Sequence, residues 1–181
     1  MGCTIAREVI YVNPAEAKAI ASMLLDGLER EYPTTRRVLV AIPEGQLDFK
    51  LGDKGRTARE LAWHLAASEA WFAADAASAD YNAPEATMPP KATVADIVAY
   101  YEKEVPALIA KIRSLPGEQL AREVPFFGVM NMPNVMYLSF MNNHSVHHRG
   151  QLSSYLRAMN AHVPSIYGGS ADEPFEMPAT A

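Results

Sequence analysis

Cysteine is nearly missing from this chain: one residue, Cys3, in 181. No intrachain disulfide can form, which suits a reducing cytosol. Cys3 itself is a poor candidate nucleophile, because terminal segments are usually loosely held. Basic runs are missing too. With 16 Lys and Arg against 21 Asp and Glu, the formal net charge is -5, and no Lys/Arg stripe is present to meet nucleic acid. Small neutral or cationic ligands stay open. No apolar run approaches the roughly 18 residues that a membrane span needs. The first residues lack a basic stretch followed by an apolar one, so no secretory leader is read there. Gly2 and Cys3 hint at acylation, but Ala6 stands where the myristoylation pattern needs Ser or Thr. Repeats and low-complexity blocks are also lacking. The expectation is a cytoplasmic protein that meets a small molecule rather than nucleic acid or a membrane.

Four long helical segments are present. Asn13, Pro14 and Glu16 read as a helix start, and Ala17, Ile20, Ala21, Leu24, Leu25 and Leu28 recur at helical spacing. Pro33 should kink or interrupt this helix, with a continuation as far as Ile42. Residues 43–55, rich in Pro, Gly and Asp, read as a loop. Thr57 with Glu60 makes a capping box ahead of an Ala-rich second helix. Thr93 and Asp96 open a third, which Pro106 could bend. A fourth runs from about Pro133 to about Ala161. The spacing predicts an all-α fold, an antiparallel four-helix bundle with long connecting loops. The alternative is an irregular helical domain with a short hairpin in its loops. Residues 1–13 form an N-terminal extension with no functional reading, 14–168 the bundle, and 169–181 a tail.

Three of the five histidines fall in the run "NNHSVHHRGQLSSYLR", residues 142–157. On a helical wheel His148 lies roughly 40° to one side of His144 and His147 roughly 60° to the other. Gln151 and Tyr155 continue the line in one direction and Tyr137 in the other. Lys and Glu are lacking on this stripe, so the histidines point inward. Buried imidazoles need partners, at about 1–3 kcal/mol for each polar group left without one. A divalent metal resolves that need, since imidazoles at i and i+4 reach one ion. The third ligand must come from another helix. His64, on a core face with Leu61, Ser68, Trp71 and Asp75, is the interior candidate. Spacing alone does not choose between His147 and His148. Arg149 sits roughly 140° from the ligands and reads as an ion-pair or packing residue. His162 reads as a dipole partner at the helix end or a loop residue.

The runs "ELAWHLAASEAWF" and "HSVHHRGQL", with "HHRGQLSSYLRAMNAHVPSIYG" around the latter, resemble the DinB/YfiT-like family over roughly residues 17–168. The resemblance implies a four-helix bundle with a divalent metal held by His64, His144 and His148. It also implies a supporting role for Gln151, and leaves His147 as a pocket residue or a packing residue with a carbonyl partner. Zinc is the default ion; nickel, iron and cobalt also suit imidazole. Three neutral histidines leave a position open, the pattern of a catalytic site. Two enzyme readings follow. In one, a low-molecular-weight thiol bound as thiolate attacks a small electrophile, as in related thiol S-transferases. In the other, a metal-activated water hydrolyses a small amide or ester, with His147, Glu60 or Asp75 as the acid or base. A third reading is a metal-binding or stress-associated protein without turnover. Residues 126–134, "FFGVMNMPN", read as an apolar wall over the site or as a plain capping loop. The family commonly dimerises, and the sequence is compatible with a homodimer.

Overall fold

The computed structural model describes residues 11–175. Cys3 and most of the expected N-terminal extension lie outside them. Helix α1 spans Pro14–Val40. Asn13 Oδ1 accepts from the Glu16 N–H at 3.0 Å, and Glu16 Oε2 accepts from the Asn13 N–H at 2.9 Å, closing a capping box. The helix is not interrupted at Pro33, which lies inside it. Proline in a helix interior costs about 3 kcal/mol. Leu25 and Leu28 before it and Val38 and Leu39 after it are all buried. At about 1.5–3 kcal/mol per buried side chain, that burial outweighs the cost. Helix α2 spans Ala58–Ser78, started by the capping box read from its sequence, and α3 spans Val94–Ser114, where Thr93 and Asp96 also close a capping box.

The segment between α3 and the last helix is not a plain loop. It holds a one-turn helix, α4 (Gly117–Ala121), and an antiparallel hairpin of β1 (Glu123–Phe126) and β2 (Met130–Pro133). Phe127 and Gly128 form its tip, both with positive φ, at 48° and 68°. That is the pattern of a type I′ turn. Helix α5 then spans Met136–Ala158, shorter at both ends than expected.

Cross-links between helices fix their directions. Lys18 bonds the carbonyls of Arg113 and Leu115, and Tyr32 stacks on Tyr101, so α1 and α3 run antiparallel. Tyr155 bonds Arg56 O at one end and Asn134 bonds Ala76 O at the other, so α2 and α5 run antiparallel. Arg59 bonds Ala92 O while Trp63 packs on Tyr100, so α2 and α3 run parallel. The main bundle helices therefore follow an up, down, down, up order, which demands a long connector between α2 and α3.

Helix α2 is the most enclosed element: fifteen of its 21 residues are buried. A helix apolar on all sides belongs in the interior. Its alanines let α3 and α5 approach closely. Beyond α5 the chain folds back along the bundle, where Arg157 pairs with Asp172, and both His162 and Arg37 pair with Glu173.

Candidate metal centre

The α2/α5 seam carries the site. His64 enters from α2, and His144 and His148 enter from successive turns of α5. One nitrogen from each ring lies within 4.8 Å of the others. Ring centroids are 5.1 Å apart for His64 and His144, 4.6 Å for His64 and His148, and 4.3 Å for His144 and His148. All three rings are half-buried.

Two of the rings hydrogen-bond through Nδ1, and the third faces a carboxylate there. His148 Nδ1 donates to Gln151 Oε1 at 3.0 Å, one turn along α5. Ser68 Oγ donates to the His64 carbonyl, so its lone pairs are free to accept from His144 Nδ1 at 3.3 Å. His64 Nδ1 faces Glu85 Oε1 at 3.5 Å. Where Nδ1–H meets its acceptor, as in His144 and His148, the lone pair of the ring resides on Nε2. Burial pushes His64 and His144 down to about 4, with neighbouring rings and the Arg56 charge adding to the effect. Burial lowers His148 as well. At neutral pH the cluster is three uncharged imidazoles.

That donor set fits a divalent ion. An ion about 2.1 Å from each nitrogen requires nitrogens about 3.4 Å apart, so only a small turn of the rings is needed. Among the described residues, no further histidine, cysteine or carboxylate joins the cluster.

The model of the DinB family matches residues 18–176. The chain belongs to the DinB family. An uncharacterized Bacillus subtilis (strain 168) protein, YrdA, is 25% identical over 149 residues, covering 82% of this chain and 89% of that protein. A DinB-like protein from Bacillus cereus superposes with a TM-score of 0.68 at 23% identity, covering 80% of this chain and 95% of the other. A second DinB-like protein, YjoA from Bacillus subtilis, gives 0.65 at 20% identity, covering 80% and 96%. These two likenesses carry the fold.

Around this DinB-family centre the remaining sequence candidates are dispersed. His147 is exposed, its ring 4.8 Å from that of His148 and outside the cluster. Glu60 spends its carboxylate on the Thr57 N–H as half of a capping box. Asp75 shares the His64 stripe but lies eleven residues further along α2, about 16 Å in rise. That is too far to serve as a base at the cluster. Arg149 turns to the opposite side of α5, where it is buried, pairs with Glu31 at 2.6 Å and bonds Thr35 and Tyr167. Hairpin residue Phe126 stacks on Phe72, and Phe72 packs on His144 with centroids 5.7 Å apart. The hairpin thus reaches the site through Phe72, and Asn134 fastens it over the end of α2.

Two residues near the site went unread in the sequence. Glu85 lies in the connector between α2 and α3, where no periodicity points to it. Arg56 is exposed just ahead of α2, and its charge is felt by all three rings. Its backbone carbonyl is tied to Tyr155 of α5. A Cβ on the preceding Gly55 would come within 2.8 Å of that tyrosine's hydroxyl, so a glycine is what allows the approach.

Proposed function

We propose that His64, His144 and His148 hold a divalent ion and that the protein is a metal-dependent enzyme: a thiol-dependent S-transferase acting on a small electrophile. The observation behind this reading is the convergence of three uncharged imidazoles at a half-exposed position, two with Nδ1 hydrogen-bonded elsewhere and the third facing a carboxylate. Zinc is the first choice, with nickel, iron and cobalt also suited to imidazole. Bound there, the ion supplies Lewis acidity that lowers the pKa of a thiol or water in the open position.

The chain's own residues then have limited tasks. Gln151 and Ser68 orient the rings of His148 and His144. Phe72 shields one side from water, with Phe126 and Trp71 packed behind it. Arg56 adds positive charge at the mouth, which favours an anionic ligand. A thiol brings its own nucleophile and needs no protein base, which favours transfer over hydrolysis. Hydrolysis of a small amide or ester is the second reading, and the observation favouring it is His147, exposed beside His148. There it would act as general acid or base.

Protein purified without a tag is expected to carry close to one divalent ion per chain, lost in a His144→Ala/His148→Ala variant. Unchanged metal content in that variant removes the site. Metal-loaded protein is then assayed for consumption of small thiols with electrophiles, and for ester cleavage. No thiol consumption with any metal or thiol ends the transferase reading. Ester cleavage that disappears in His147→Ala, with the metal retained, supports the hydrolase instead.

A further inference from the structure

We propose that Glu85 is a positioning residue for the metal centre, holding His64 through Nδ1, and that the connector between α2 and α3 is built to deliver it. The proposal rests on the three-histidine reading above.

The connector's path follows from topology. Because α2 and α3 are parallel neighbours, the chain leaving α2 must travel back along its length before α3 can begin. Three side chains of α2 hold it on the way. Trp71 Nε1 donates to Ala83 O at 2.6 Å, Trp63 Nε1 donates to Ala86 O at 3.0 Å, and Arg59 bonds Ala92 O. The anchors retreat toward the start of α2 as the connector advances. From Trp71 to Trp63 the helix rises about 12 Å. Three residues of extended chain, Ala83 to Ala86, span about 10 Å. The two lengths are comparable, so the segment between the two indoles has little slack beyond the bend at Ala83. Glu85 lies on this piece, and His64 lies beside Trp63 on the helix below. The carboxylate arrives 3.5 Å from His64 Nδ1.

The three rings differ in what supports them. His148 is held by Gln151 of its own helix and His144 by Ser68 across the seam. His64 alone depends on a residue outside the bundle helices. A carboxylate accepting Nδ1–H sets the tautomer and the ring angle, and makes Nε2 a better donor to a metal. Loss of such a partner typically costs 10–100-fold in metal affinity.

The test uses the full chain stripped of metal, with zinc affinity measured by competition against a chromogenic chelator. Thermal melts of the metal-free proteins run alongside. Glu85→Ala is expected to bind zinc about 10–100-fold more weakly, with an unchanged metal-free Tm. Glu85→Gln keeps an oxygen that can accept from Nδ1, so it should recover part of the loss. Wild-type affinity in Glu85→Ala overturns the proposal. So does equal weakening in both variants accompanied by equal loss of metal-free Tm, because Glu85 would then serve only the fold. If the wild-type chain itself binds no zinc, the three-histidine reading fails and the proposal falls with it. That result is distinguishable, because it does not depend on Glu85.

Discussion

Asp75 is 2% exposed, and its Oδ2 has no hydrogen-bond partner. Burial, with Asp80 nearby, pushes its carboxyl from 3.8 up to about 7. The folded state therefore holds a proton that the unfolded chain releases over this range. Stability falls as pH rises from about 4 to 7. Asp75→Asn removes that cost. Its Tm should match the wild type near pH 4 and exceed it increasingly toward pH 8, and a gap that is flat with pH would contradict the assignment. Asp75 also shows what a helical wheel leaves out. The wheel gives the angle at which a side chain leaves the axis but not its height, so it placed Asp75 with His64 although three turns separate them. The inward faces carrying His64 and His144 were legible from spacing, but the choice of His148 over His147 came from the family resemblance and not from the wheel. Glu85 was not legible, because its position depends on indole anchors from another element and on no local pattern.

Among the elements, the hairpin and α5 contain two glycines with opposite roles. Gly128 sits at the hairpin tip with φ of 68° and no atom near a built Cβ. Backbone conformation alone requires glycine there, so Gly128→Ala should cost about 1–2 kcal/mol. Gly150 lies inside α5, also with nothing near its Cβ. Conformational entropy alone disfavours glycine there, and Gly150→Ala should stabilise by about 0.5–1 kcal/mol. Urea unfolding of the two variants checks both signs in one experiment. The hairpin was hard to read because Phe127 occupies the turn position that Asn, Asp or Gly would mark. Helix α1 was legible in its start and its apolar stripe. Its uninterrupted run through Pro33 was not, because the burial that holds it on both sides is tertiary.

For the whole molecule, an ion held by the three histidines would be coupled to the fold. A ligand present at 100 times its Kd stabilises the folded state by about 2.7 kcal/mol. For a chain of this size that is a Tm shift of roughly 5–10 °C. Adding a strong chelator to metal-loaded protein should lower Tm by that amount, and zinc should restore it. The His144→Ala/His148→Ala variant should show no response to either. Helix number and the histidine-bearing faces were readable from composition and period. The up, down, down, up order was not, since four segments of these lengths are compatible with several arrangements until the cross-links fix directions.

Running α2 and α3 in the same direction forces a long return path, and that path passes the histidines. If the histidines hold an ion and Glu85 positions one of them, where proline falls in that connector, and whether both indoles are kept, would alter the grip on the ion without touching any ligand. Two relatives with the same three histidines could then differ widely in how tightly they hold metal. Counting ligands would report the same site in both, and only the unpatterned stretch between the helices would tell them apart.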